Sequence, residues 1–124
     1  MTQTNVAGIV VVTGGLSGIG AATAVAATAK GWRVVVLDRA ARIDTVSAPG
    51  VAVFPQSVDV SDEAAVAGAC QKIERLHGPI IGLVNAAGIL GKMHPPSRLA
   101  MSDWDREIAV DLRGTFVVCR EVGS

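Results

Sequence analysis

The apolar positions fall into short runs separated by longer periodic stretches. Gly8 to Thr13 and Arg33 to Asp38 are nearly continuous apolar runs, as strands buried on both faces require. Val51 to Phe54 and Ile80 to Asn85 supply a third and a fourth strand. Between the first two lie a Gly-rich turn, Gly14 to Gly20, and an Ala-rich helix over roughly Ile19 to Lys30. Gly31 is its C-terminal stop. Ser61 is predicted to cap the next helix, with Asp62 and Glu63 favoured in its first turn by the helix dipole. That helix runs to about Leu76 and is ended by His77-Gly78-Pro79, with His77 a C-terminal cation. Ser102 is predicted to cap a last helix whose Trp104, Ile108, Leu112 and Phe116 form one apolar stripe, either core or a helix-pairing surface. Arg39 to Gly50 has weak periodicity and a Pro49-Gly50 turn signal, so it reads as a loop or a short helix. Gly91 to Ser97, with Pro95-Pro96, reads as a loop.

Strands alternating with helices predict an α/β fold: a Rossmann-like, doubly wound parallel sheet with strand order 3-2-1-4. The 124 residues fit one domain. Apolar residues make up 50% of the chain, mostly Ala and Val, which suit helices lying close on buried strands. The net charge is zero, which argues against nucleic acid or a membrane surface as partner. Cys70 and Cys119 lack a CxxC partner and are expected to be small buried hydrophobes in a reducing compartment. Met1 to Asn5 has no signal-peptide character, and no apolar run approaches a membrane span. A soluble, cytoplasmic protein is expected.

The chemistry concentrates at strand ends. Thr13-Gly14-Gly15-Leu16-Ser17-Gly18-Ile19-Gly20 joins the first strand to the first helix. Glycines there permit a sharp turn and let a pyrophosphate approach a helix N-terminus that offers free N–H groups. Asp38 ends the second strand, where a carboxylate accepts hydrogen bonds from both ribose hydroxyls and repels a 2′-phosphate. NAD is therefore favoured over NADP, although Arg39 beside it is a residue type that accommodates such a phosphate. His94 has no second ligand at metal spacing, so no metal site is predicted.

These residues resemble the short-chain dehydrogenases/reductases. The TGxxxGxG pattern at Thr13 to Gly20 is similar to that family's glycine motif, and Asn85-Ala86-Ala87-Gly88 to its NAG motif. Val58-Asp59-Val60-Ser61 resembles the segment that meets the adenine amino group. Trp104-Asp105 through Asp111-Leu112-Arg113-Gly114-Thr115-Phe116 resembles the helix preceding the family's active site. The resemblance implies an NAD-linked oxidoreductase interconverting alcohols and ketones. Gly14, Ser17, Gly18, Ile19 and Gly20 would surround the pyrophosphate and adjoining ribose, and Asp38 would hold the adenosine ribose. Asp59 and Val60 would flank the adenine. Asn85, Ala86, Ala87 and Gly88 would lie under the nicotinamide-side ribose, with Asn85 also bracing the fourth strand. Val110 would line the cofactor floor.

The sequence departs from the family in two places. The family's acid/base is the Tyr of a Tyr-x-x-x-Lys, assisted by a Ser, and this sequence contains no Tyr. No catalytic residue is assigned, and the chain is expected to be the cofactor-binding half of such an enzyme, incomplete at its C-terminus. Asp111 stands where the family usually has Asn; it is either a water-holding substitute or an ordinary helical Asp. An open strand edge at Ile80 to Val84 and a bare last helix predict self-association or a complementing chain. A non-catalytic nucleotide-binding or dimerisation module and one part of a split enzyme are the alternatives.

Overall fold

The computed structural model describes residues 8–124; the expectation about Met1 to Asn5 lies outside them. Four parallel strands form one sheet in the order β3-β2-β1-β4, as the pattern predicts. They are β1 (Ile9–Thr13), β2 (Arg33–Leu37), β3 (Val51–Val53) and β4 (Ile80–Asn85). Val11 of β1 stands opposite Val35 of β2 and Leu83 of β4. The β1/β4 register slips between Ile9 and Val10.

Alternation along β1 and β2 divides the core. Ile9, Val11, Val35 and Leu37 face helix α2 (Glu63–His77) and the C-terminal helical run, packing with Val66, Ile73, Val110, Val117 and Val118. Val12, Val34 and Val36 face α1 (Gly18–Ala29), whose Ala24 is fully buried against them. A methyl group at Ala24 lets the helix axis lie close to three β-branched strand residues. Lys30 follows α1, and the chain then reverses. Gly31 at φ +92° lets its own N–H reach the Thr28 carbonyl and the Trp32 N–H reach the Ala27 carbonyl, a Schellman ending.

The second helix starts one residue later than predicted. Asp62, not Ser61, is its N-cap, and Asp62 Oδ1 accepts from the Ala65 N–H at 3.1 Å. Ser61 is diverted because its hydroxyl donates to Asp59 Oδ1 at 2.7 Å. Arg39 to Gly50 contains turns and no helix. After a short 3₁₀ turn at Pro96–Arg98, α3 (Met101–Ile108) begins beyond Ala100. The predicted Ser102 cap therefore falls inside the first turn, where the Asp103 and Trp104 N–H groups bond the Ala100 carbonyl. A π-helical segment, Ala109–Gly114, then leads into α4 (Thr115–Gly123).

That widened turn interrupts the 3.6-residue register of the apolar stripe. Val110, Gly114, Val117 and Val118 face the core. Trp104, Leu112 and Phe116 remain 49%, 65% and 64% exposed. Cys70 is buried on α2, but Cys119 is exposed, against the expectation that both are buried.

Candidate functional site

The C-terminal ends of the strands open into a cleft of about 760 Å³. In a doubly wound sheet that edge, at the point where the strand order reverses, is where ligands bind. Here the reversal lies between β1 and β4. The cleft is within the volume range of small-molecule sites.

Backbone bonds tie its parts together. The Gly14 N–H reaches the Leu37 carbonyl at 2.8 Å, joining the glycine turn to the end of β2. Buried Thr13 Oγ1 accepts from the Ala86 and Ala87 N–H groups, each at 3.2 Å. It thereby fixes the loop after β4 against the end of β1. Gly14 has φ +63°, and a Cβ there would stand 2.7 Å from Ala87 Cα. The turn therefore requires glycine for both its dihedral and its close approach.

Twelve of the fourteen residues singled out from the sequence line the cleft: Gly14, Ser17, Gly18, Ile19, Asp38, Arg39, Asp59, Val60, Ala86, Ala87, Gly88 and Val110. Gly20 and Asn85 do not. Gly20 is buried in α1, where a Cβ would collide with the Gly14 carbonyl oxygen. The Asn85 amide instead donates to Cys119 Sγ at 3.2 Å, so this side chain braces β4 against α4. Leu37, Ala40, Arg42, Val58 and Ile89 also line the cleft. Each is a close chain neighbour of a motif residue, which is the only sequence signal they carry.

Asp38 is held by two backbone donors. Its Oδ2 accepts from the Leu16 N–H at 3.0 Å and its Oδ1 from the Ala40 N–H at 2.9 Å. A carboxylate has about four acceptor positions, so two remain for a ligand's hydroxyls. The Arg42 guanidinium turns back on the chain, donating to the Arg39 and Ala41 carbonyls.

Asp59 is more firmly held. Partial burial pushes its carboxyl up, but hydrogen bonds from the Ser61 hydroxyl and N–H and from Arg106 outweigh it. The net effect is to hold Asp59 below the usual aspartate range. Asp111, exposed on the π-helical segment, accepts from the Ile89 N–H. Among the described residues no cluster of His, Cys, Asp and Glu could hold a metal. No described helix is long and apolar enough to cross a membrane.

The sequence pattern of the family described as short chain dehydrogenase matches residues 8–124. The chain belongs to the short-chain dehydrogenase family. It is 37% identical over 128 residues to the D-threitol dehydrogenase of Mycolicibacterium smegmatis, covering 94% of this chain and 46% of that protein. It is 35% identical over 132 residues to the levodione reductase of Leifsonia aquatica, covering 94% and 49%. The ligand-free aldohexose dehydrogenase of Thermoplasma acidophilum superposes with a TM-score of 0.80 at 28% identity, covering 93% of this chain and 42% of that one. A 3-ketoacyl-ACP reductase of Sinorhizobium meliloti gives 0.79 at 36% identity, covering 90% and 46%. The chain spans about half the length of the curated relatives it matches.

Short-chain dehydrogenases are oxidoreductases that bind nicotinamide dinucleotides. The residues present fit such a group. Gly18 has φ +55°, and a Cβ there would meet nothing within 4 Å. The turn thus leaves open the space that a pyrophosphate requires above the start of α1. Ser17, the N-cap residue, makes no side-chain cap bond, so its hydroxyl does not compete with a ligand for the first N–H groups of the helix.

Proposed function

We propose that this chain is the NAD-binding domain of a short-chain oxidoreductase that interconverts a secondary alcohol and a ketone. Asp38 carries the reading. It stands at the cleft rim with acceptor positions free for two ribose hydroxyls, and its charge disfavours a 2′-phosphate. Gly14, Ser17, Gly18 and Ile19 cradle the pyrophosphate. Asp59 and Val60 flank the adenine, Ala86 to Gly88 lie beneath the nicotinamide-side ribose, and Val110 forms the floor. Gly20 permits the turn that makes this cradle. Ile19 is 82% exposed on the first turn of α1, and a bound ligand would cover part of that apolar surface.

The bound dinucleotide supplies the hydride acceptor or donor. These residues orient it and provide no acid/base tyrosine, because the sequence contains none. The family's Tyr-x-x-x-Lys has no counterpart among these 124 residues. Calorimetric titration tests the cofactor assignment. NAD binds, and NADP binds about tenfold more weakly or worse. No heat and no thermal shift at millimolar NAD would sink the assignment. Tighter binding of NADP would reverse the choice of cofactor.

A second reading concerns assembly. The exposed Trp104, Ile108, Leu112 and Phe116 form a face that a second copy of the chain would bury, giving a homo-oligomer. In sedimentation, L112E/F116E moves the protein toward monomer. An unchanged sedimentation coefficient would remove this face from the interface.

A further inference from the structure

The π-helical segment Ala109–Gly114 sends side chains to two separate loops. Asp111 Oδ1 accepts from the Ile89 N–H at 2.8 Å, in the loop after β4. Arg113 Nη1 donates to the Ser61 carbonyl at 2.6 Å, in the loop between β3 and α2. Its Nη2 lies 3.7 Å from Glu63 Oε2, and Glu63 Oε1 is held in turn by Arg120 at 2.6 Å. Residues two apart point to different sides of a helix, so the segment stands between the loops as a strut. Both loops line the cleft, one through Val58, Asp59 and Val60 and the other through Ala86 to Ile89. Val110 of the strut lines it as well.

A π turn holds one residue more than the α ladder needs. Relaxing it to α register would turn the chain beyond it by about 100° and shift it by about 1.5 Å. Ties on both flanks oppose that change. Before the segment, Arg106 Nη2 donates to Asp59 Oδ2 at 3.0 Å. At its far end Arg113 holds the Ser61 carbonyl, and Gly114 packs so closely that a Cβ would stand 2.5 Å from Val60 Cγ2. Both flanks are fixed to one loop, and the extra residue stays between them. Just beyond the segment, the Thr115 hydroxyl donates to the Asp111 carbonyl at 3.0 Å. The loop after β4 has a weaker tie of its own, the exposed Lys92–Asp103 pair at 3.5 Å.

We propose that Arg113 is the positioning residue of this strut: by gripping the loop between β3 and α2 it keeps the π turn in register, and so keeps Asp111 on the Ile89 N–H. The coupling between the loops stands on this geometry, and its effect on cofactor affinity rests on the NAD-binding reading above. A dinucleotide that touches both loops needs both held at once. Cutting the strut at either end therefore loses the same affinity.

The test uses the 124-residue chain, with folding checked by circular dichroism. Amide exchange reads Ile89, whose N–H bonds Asp111 and not Arg113. R113M, which keeps the aliphatic stem and no donor, speeds Ile89 exchange about fivefold or more. R113K, which restores a cation and a donor, recovers part of the protection. Calorimetry with NAD reads the cleft. R113M and D111A each lower affinity about threefold to tenfold. The double variant R113M/D111A binds no more weakly than the weaker single, because both changes cut one strut.

Unchanged Ile89 exchange in R113M overturns the proposal, since a side chain that braces only its own loop loosens Ser61 and Glu63 alone. Affinity losses that multiply in the double variant overturn it as well. If R113M does not fold, E63A removes the carboxylate that orients Arg113 and carries the exchange test. It speeds Ile89 exchange about twofold or more, and a rate equal to wild type overturns the proposal. A wild type that does not bind NAD removes the cofactor reading, and Ile89 exchange still decides the strut.

Discussion

Asp111 Oδ1 accepts a 2.8 Å hydrogen bond from the backbone N–H of Ile89. The contact joins the π-helical segment to the loop after β4. It gives the Asp at this position a definite task, holding the Gly88-Ile89 backbone. Gly88 lies against it so closely that a Cβ would stand 3.3 Å from the same oxygen. Asp111→Asn keeps an acceptor in place and changes stability by less than about 1 kcal/mol. Asp111→Ala leaves the Ile89 N–H without it and costs about 1 kcal/mol, the contact being solvent-exposed. Amide hydrogen exchange reads the difference directly. Ile89 exchanges faster in D111A and stays protected in D111N; equal rates in D111A and wild type would show that the bond does not hold the loop.

Two glycines of one turn should respond differently to the same substitution. Gly20→Ala drives a Cβ into the Gly14 carbonyl oxygen. Backbone cannot step aside cheaply, so a loss of about 3 kcal/mol or more is expected. Gly18→Ala meets no atom but must hold φ +55°, which costs about 1–2 kcal/mol. G18A therefore folds. Its methyl group occupies the space assigned to the pyrophosphate, and NAD affinity falls about tenfold or more. Thermal melts paired with calorimetry separate the two effects. A G18A protein that binds NAD like wild type would move the phosphate site elsewhere.

Much of this arrangement was legible because it is local or periodic. The continuous Val runs of β1 and β2 identify buried strands, and their alternation with helices implies the sheet order observed. Gly31 ends α1 for the reason its position suggests. What escaped depends on partners distant in sequence. Ser61 and Asp62 are equally good caps until Asp59 claims the Ser61 hydroxyl. Asn85 sits inside a cofactor motif, yet its amide is turned to Cys119 of α4. Arg106 belongs to no motif read from the sequence; only the folded chain brings it to Asp59. The π-helical segment has no compositional mark, so the sequence leaves the stripe as either core or pairing surface; the fold buries Val110 and Val117 and leaves Leu112 and Phe116 exposed.

The two cysteines are expected to behave differently toward thiol reagents. Burial pushes the Cys70 thiol up to about 11, with Glu121 and Glu74 adding to the shift. The thiolate is the reactive form, so Cys70 is protected by both access and charge. Cys119 is exposed, with only the Asn85 amide beside it. One equivalent of a disulfide reagent should react quickly at neutral pH, and C119S should abolish that phase. The second equivalent appears only on unfolding. Two fast thiols in the native protein would place Cys70 at the surface and contradict the packing of α2.

Asp59 predicts a particular acid sensitivity. Its carboxyl is held below the usual aspartate range in the fold, because Ser61 and Arg106 outweigh the effect of burial. An unfolded aspartate titrates at about 3.9. The stabilisation from these bonds is therefore complete above about pH 4. It is lost as pH falls through the lower, folded value. D59N cannot titrate, and it gives Arg106 an uncharged partner. At neutral pH the variant is less stable than wild type. The gap should close as the acid limb is entered, because wild type is then losing the contribution that the variant never had. Urea denaturation midpoints for both proteins, from about pH 7 down to about pH 3, measure the gap. A gap of constant size across the series would mean that the charge of Asp59 contributes nothing to holding its loop, and that only the shape of the side chain matters there.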